Sequence, residues 1–187
     1  TYDMLIERLH APVVLLQLPI GTEGEFAGIV DLIDMKAYVW DLEANKGDEF
    51  ETLEIPANML DEAKAKRAEM IEKLADIDDS IMELFMEEKE PSREQIIAAI
   101  RKGTVNFSVV PVIMGSAFKN KGVQQMLDAV VRYLPSPLEV GAIKGFKQGD
   151  PSVEIDRAPS EDEPFSALAF KIMSDPHLGK LTYIRIY

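Results

Sequence analysis

The chain has 187 residues, 47% of them apolar, no cysteine and a formal net charge of -13. That length holds one large or two small cored domains, while the acidity argues against gripping phosphate backbones, which takes clustered Lys and Arg. Disulfides and thiolate metal sites are excluded, and His10 and His177 stand far apart in sequence, so no metal site is expected.

No apolar run approaches the roughly 20 residues that cross a bilayer. The N-terminus lacks the basic-then-apolar pattern of a secretion signal, so the expected location is the cytoplasm. Charge is uneven: residues 41–103 carry 18 Asp/Glu against 9 Lys/Arg, which concentrates the acidity there and favours a basic protein partner.

In chain order, residues 11–21 form an apolar run closed by Pro and Gly, predicted as a buried strand. Residues 26–40 alternate β-branched and aromatic residues with a break near Asp34 and Met35, which predicts two more strands. Residues 41–49 read as a polar loop and 50–55 as a short edge strand. Tyr38 and Trp40 at the end of a strand pattern read as core or sheet-edge residues.

From Pro56 the period changes to 3.6. Leu60, Ala63, Met70, Ile71 and Leu74 share one face, and Pro56 suits a first helical turn. Ser80 to Glu83 has the form of a capping box and predicts the start of a second helix. Ser92 to Gln95 predicts a third, ending at Gly103. Asp76, Asp78 and Asp79 lack the surrounding loop of a calcium site and read as a helix junction and its cap.

Residues 107–114 are almost continuously apolar, as expected of a strand covered on both faces. A Gly-bounded polar loop, 115–122, follows. Then Val123, Met126, Leu127, Val130, Val131 and Leu134 keep the spacing of a helix packed on a sheet, and Pro135-Ser136-Pro137 ends it. Residues 141–163 read as a linker rich in Gly, Pro, Ser and charge. Two strand-like runs, 165–173 and 181–187, come last, joined by a turn over 174–180. A lone two-stranded ribbon is marginal, so they read as the opening of a larger sheet or barrel.

The loop between strand and helix lies where open α/β sheets bind ligands. Its wording is more specific. Gly115-Ser116-Ala117-Phe118-Lys119-Asn120-Lys121-Gly122-Val123, with Leu127-Asp128-Ala129-Val130 and Tyr133-Leu134-Pro135-Ser136-Pro137, closely resembles the end of the GTPase domain in the bacterial elongation factor G family. Leu18-Pro19-Ile20-Gly21, Gly28-Ile29-Val30-Asp31-Leu32 and Met35-Lys36-Ala37 resemble the insert that this family carries inside that domain. Glu163 to Ile172, Asp175-Pro176 and Gly179-Lys180-Leu181-Thr182 resemble the opening of its second domain, a β-barrel. The likeness runs from about Leu18 to Tyr187, strongest at 115–137 and 163–187 and weakest in 56–103.

The resemblance implies an α/β fold in several parts. Residues 1–106 are mostly an α+β insert, with strands over 11–55 and three helices over 56–103. Residues 107–140 are the last strand, loop and helix of a P-loop GTPase domain, 141–163 a linker, and 164–187 the first strands of a translation-factor barrel. Ser116, Ala117 and Phe118 then correspond to a guanine-reading loop whose main-chain N–H groups face the guanine O6. The phosphate-cradling loop, the magnesium segment and the Asn-Lys-x-Asp segment are absent from this sequence. In the family they lie upstream, so the chain is expected to begin just after them. GTP, GDP and magnesium therefore belong to the longer parent, and the segment itself is expected to hold no cofactor and to have no GTPase activity.

On the first helix, Asp61, Glu62, Glu69, Glu72 and Asp76 fall within about 100° of one another, opposite the apolar face. The resemblance implies that this acidic stripe docks the basic C-terminal domain of the ribosomal stalk protein, while the residues alone fit an ordinary solvated face equally well; the net charge and the short apolar runs lead us to expect no direct nucleic-acid or membrane contact. Two other readings stand beside it: a paralogous ribosome-protection or ribosome-recycling GTPase, and an unrelated acidic interaction domain. The long helical stretch over 56–103 favours the elongation factor.

Overall fold

A computed structural model describes residues 2–40, 47, 49–147 and 149–187. Most of the expected polar loop over 41–49 lies outside the described residues. The fold is α/β, and the chain divides into two units, Thr1–Leu134 and Pro135–Tyr187.

The first unit opens with α1 (Tyr2–Glu7). The apolar run after it does not form one strand but two, β1 (Val13–Leu15) and β2 (Gln17–Ile20). They belong to different sheets: β1 pairs in parallel with β6 (Val110–Val112), and β2 pairs antiparallel with β3 (Gly28–Asp31). Leu16 is the crossing point. Its N–H donates to the Val112 carbonyl at 2.9 Å, while its own carbonyl accepts from the Leu32 N–H at 2.9 Å. Alternating residues then extend a four-stranded meander through β4 (Lys36–Val39) to the edge strand β5 (Glu51–Leu53).

Three helices follow, α2 (Leu60–Ala75), α3 (Asp79–Met86) and α4 (Arg93–Val105), of which α2 packs beside β1 and α4 beside β6. The core joins Leu18, Val30 and Leu32 of the sheet side to Met70 and Leu74 of α2, Ile81 of α3, and Ile96 and Ile100 of α4. Fully burying each such side chain contributes on the order of 1.5–3 kcal/mol. Arg67 adds a polar tie, donating through Nη1 to the Leu32 and Ile33 carbonyls at 2.6 and 2.8 Å.

Three helix boundaries differ from the sequence expectation. Pro56 is not in the first turn of α2, because residues 56–59 close a turn of their own, Met59 N–H to Pro56 carbonyl at 2.8 Å, and the helix starts at Leu60. Ser80 does not cap α3. Asp78 does, its carboxylate accepting from the Ser80 and Ile81 N–H groups, since it sits one position outside the helix in extended conformation. Gly103 does not end α4. It is buried inside the helix, where a Cβ would come within 2.5 Å of Ile77 Cδ1 and 2.6 Å of Val109 Cγ2, so it is there for close packing. The Ser92 and Gln95 capping box forms as expected.

The expectation for 107–134 is corrected more deeply. The strand spans only Val110–Val112 and is not covered on both faces, since Val110 is exposed. The helix α5 (Val123–Tyr133) forms, yet its stripe of Met126, Leu127, Val130 and Val131 faces solvent, with Val131 79% exposed, and Leu134 just beyond it is exposed too. Tyr133 is buried and Ala129 packs against the core. Among the described residues the parallel sheet has two strands, too narrow to receive the whole stripe.

In the second unit, a capping box between Ser136 and Glu139 opens the short α6 (Pro137–Val140). The stretch read as a linker contains a hairpin, β7 (Ile143–Lys147) with β8 (Asp150–Arg157), because Val153 and Ile155 alternate with charged residues in β-strand register. A longer hairpin follows, β9 (Ala167–Asp175) with β10 (Gly179–Ile186), bulged between Tyr183 and Ile184. Its turn is fixed by Asp175, whose Oδ1 accepts from the His177 and Leu178 N–H groups, both at 2.8 Å. Phe170, Ile172, Ile184 and Ile186 are exposed.

Candidate functional site

The loop over 115–122 is closed at its neck. Ser116 N–H donates to the Lys121 carbonyl at 2.8 Å and Lys121 N–H returns to the Ser116 carbonyl at 3.1 Å. Glycines flank this pair because a Cβ at Gly115 would meet the Lys121 oxygen at 2.7 Å, and one at Gly122, whose φ is +81°, would meet the Met114 oxygen at 2.7 Å. Between them Ala117–Lys119 forms a single 3-10 turn.

Of the three residues expected to read guanine, Ser116 is half-buried in the neck, Ala117 is exposed, and Phe118 is 99% exposed. As at any helical start, the first N–H groups find no partner within the turn. The N–H groups of Ala117 and Phe118 have no acceptor among the described residues. Two main-chain donors without a partner among the described residues, on a closed neck, can donate to a carbonyl-bearing ligand.

The loop is anchored on both sides. On the entering side, Met114 N–H donates to Gln17 Oε1 at 2.9 Å, and Gln17 is buried on β2. Met114 also packs against the small cluster of Phe26, Ile29 and Trp40. On the leaving side, Lys121 Nζ donates to the Phe26 carbonyl and Lys119 Nζ to the Gly24 carbonyl, each at 3.0 Å. Nothing local in the sequence marks Lys119 or Lys121 for these contacts. A polar residue inside the apolar run of 11–21 was the available signal for Gln17.

The acidic residues of α2 lie on a separate face. Asp61, Glu62, Glu72 and Asp76 are exposed, while Glu69 is half-buried between Lys66 at 2.7 Å and Lys73 at 3.0 Å. The hydrogen bond from Lys66 holds the Glu69 carboxyl below its ordinary range. Lys73 in turn reaches the Tyr2 hydroxyl at 3.0 Å and the Val13 carbonyl at 3.4 Å. The stripe therefore presents four open carboxylates around one that is internally neutralised.

A cleft of about 280 Å³ opens between the meander and α5, lined among others by Asp31, Asp34, Tyr38, Arg93, Arg132 and Tyr133. Asp31 Oδ1 accepts from the Ile33 and Asp34 N–H groups at 2.8 and 2.9 Å. Burial nonetheless pushes its carboxyl up. Arg93 Nε donates to Asp34 Oδ1 at 2.5 Å, and the Tyr38 hydroxyl, pushed up to about 12 by burial, reaches Asp34 Oδ2 at 3.3 Å. These groups satisfy one another and tie the N-terminus of α4 to the sheet. Trp40 is buried in the core. Among the described residues no group of three or more His, Asp or Glu is placed to hold a metal, and no helix is long and apolar enough to cross a membrane.

No family model matches the chain. Among solved structures it is similar to a crystal structure of a protein from Thermus thermophilus, with a TM-score of 0.70 and 24% identity, over 99% of this chain and 24% of that one. The chain thus spans about a quarter of that protein and shares the fold of that portion.

Proposed function

We propose that this chain is an internal segment of a translational GTPase of the elongation factor G type, which uses GTP hydrolysis to drive movement of tRNA and mRNA through the ribosome. The parts are a helical insert with its meander, the last strand, loop and helix of the GTPase domain, and the opening of a barrel. The observation that carries this reading is the loop over 115–122. Its wording resembles the family's guanine-reading segment, and its Ala117 and Phe118 N–H groups, without an acceptor among the described residues, stand on a closed neck. Two such unpartnered donors fit a purine carbonyl and disfavour an amino group at the same position.

The open stripe on α5 and the two-stranded parallel sheet support the same reading, because parallel sheets are ordinarily wide and covered by helices on both faces. The likeness to a portion of a longer bacterial protein supports it further. On this reading nucleotide phosphates and magnesium are held by residues outside this chain, and Ser116, Ala117 and Phe118 contribute base recognition alone. The segment acts in the cytoplasm as a protein-interaction module: Asp61, Glu62, Glu69, Glu72 and Asp76 face the basic C-terminal domain of the ribosomal stalk protein. It contacts neither membrane nor nucleic acid directly.

The test is the intact gene. Its product is expected to carry the phosphate loop upstream of Thr1 and to hydrolyse GTP faster when ribosomes are added. A product with no such loop, or one whose hydrolysis ignores ribosomes, overturns the reading.

A further inference from the structure

Lys121 stands where a lysine is costly. It is only 4% exposed, and burying an ammonium costs several kcal/mol unless acceptors replace its water. Among its partners is the main-chain carbonyl of Phe26, 3.0 Å from Nζ and 95 positions away in the sequence. Lys119, two residues earlier, reaches the Gly24 carbonyl of the same β2–β3 turn at 3.0 Å. Two lysines of one short loop thus grip two carbonyls of one turn.

That turn is itself fixed. A 3-10 turn spans Glu23–Glu25, and Phe26 is buried with Ile29 and Trp40 of the meander. Met114, at the entering side of the loop, packs on the same cluster and is held by Gln17 of β2. The meander therefore frames the loop from both ends, and the Ser116 and Lys121 pair transmits that frame to the exposed tip.

We propose that Lys121 is a positioning residue. Its ammonium, seated on the Phe26 carbonyl, ties the loop to the meander and thereby sets the Ala117 and Phe118 N–H groups in register with a purine carbonyl. Lys121 does not touch the base. This inference rests on reading 115–122 as a guanine-reading loop, and it adds that the insert governs base selectivity through this tie.

The experiment has two arms. In this chain, Lys121→Met removes the charge and keeps the length. Hydrogen exchange at the Ser116 and Lys121 amides is expected to rise about tenfold, the scale of one hydrogen bond to a charged group. Amides of Ile96 and Ile100 serve as the control for folding, and Lys121→Arg, which keeps a cation, is expected to restore protection. In the full-length parent, Lys121→Met is expected to weaken GDP binding about tenfold while leaving the weaker ADP binding unchanged. A residue with a merely structural role would not move that ratio. If Lys121→Met unfolds the chain, Lys121→Gln, which is polar but carries no ammonium and is one bond shorter, takes its place in both arms.

Unchanged loop exchange in the substituted chain overturns the tie. A raised exchange with an unchanged ratio of GDP to ADP affinity overturns the positioning role. A wild-type parent that binds GDP and ADP alike overturns the guanine reading on which the proposal rests, a result readable before any substitution is made.

Discussion

Lys102 Nζ lies 2.9 Å from Asp78 Oδ2, so a cation in the last turn of α4 secures the carboxylate that caps α3. The Ser80 hydroxyl, 2.5 Å from Asp78 Oδ1, is the largest of the influences, ahead of the Lys102 hydrogen bond, that hold this carboxyl down at about 2. Since the folded value lies below the ordinary one of 3.8, the stabilisation is present above about pH 4 and is lost as pH falls towards 2. Asp78→Ala is expected to cost about 1–2 kcal/mol at pH 7. Chemical denaturation from pH 7 down to pH 2.5 should show the difference from wild type shrinking with acidity. Ser80→Ala should cost less than Asp78→Ala; an equal or larger loss would mean that Ser80 is the cap after all.

Asp31 behaves in the opposite sense. Burial raises its carboxyl, so its contribution is most favourable below the ordinary value of 3.8 and declines as pH rises through the folded one. Asp31→Asn keeps an oxygen for the Ile33 and Asp34 N–H groups and carries no charge to bury. It is expected to raise the melting temperature at pH 7, with the gain disappearing towards pH 3.5. A destabilised variant at pH 7 would show that the ionised form is the one the fold prefers.

The acidic face of α2 gives a kinetic prediction. If the proposed docking holds, Glu69→Lys with Glu72→Lys is expected to slow association with the stalk domain or the ribosome, and the difference should fade as salt shortens the Debye length from about 10 Å at 0.1 M to about 3 Å at 1 M. Glu69 also bridges Lys66 and Lys73, so its reversal carries a stability loss of about 0.2–0.5 kcal/mol for each pair broken. Glu62→Lys with Glu72→Lys, both exposed, separates docking from stability. Stopped-flow mixing at two ionic strengths decides the matter. An on-rate that neither reversal alters reduces the stripe to an ordinary solvated surface.

Isothermal titration of this chain with GDP and magnesium is expected to give no measurable heat of binding. On the proposed reading this chain supplies one base-reading loop without the phosphate contacts that provide most nucleotide affinity. Micromolar or tighter binding would mean that 115–122 belongs to a different and complete site.

A residue's role is legible in the sequence to the extent that its partners are local. The core stripe of Met70, Ile71 and Leu74 was plain, because burial imposes its 3.6 period directly on composition. Ser92 and Gln95 were equally plain, since that cap is wholly local. The junction reading of Asp76, Asp78 and Asp79 holds, with Asp78 as the cap, whereas the box spelled by Ser80 and Glu83 does not form because a carboxylate two residues earlier outcompetes it. The run over 11–21 concealed the switch at Leu16, which only the positions of Val112 and Leu32 reveal. Lys121 was illegible for the same reason: nothing near position 121 announces a carbonyl at position 26.

The exposed hairpin of β9 and β10 leads to a prediction about association. Phe170, Ile172, Ile184 and Ile186 lie open beside strand edges that are unpaired among the described residues. Analytical ultracentrifugation is expected to show concentration-dependent self-association, weakened by Ile172→Lys. Hydrogen exchange over 167–186 should be fast in dilute samples. Slow exchange there in a monodisperse monomer would rule this out.

The switch at Leu16 also dictates an order of events during folding. The parallel pair of β1 and β6 and the Met114 to Gln17 hydrogen bond join segments 97 positions apart, whereas the meander pairs strands that follow one another directly. Contacts of such high contact order close slowly, because the loop entropy is lost before the contact offsets it. Once the meander and its three helices have condensed, however, the ends of that long loop are already neighbours, and β6 needs only to slide into place beside β1. The meander and its helices thus work as a template on which the strand and loop that follow them are assembled, and a lesion in their core, such as Leu74→Ala, should delay the appearance of the loop well before it melts the native chain.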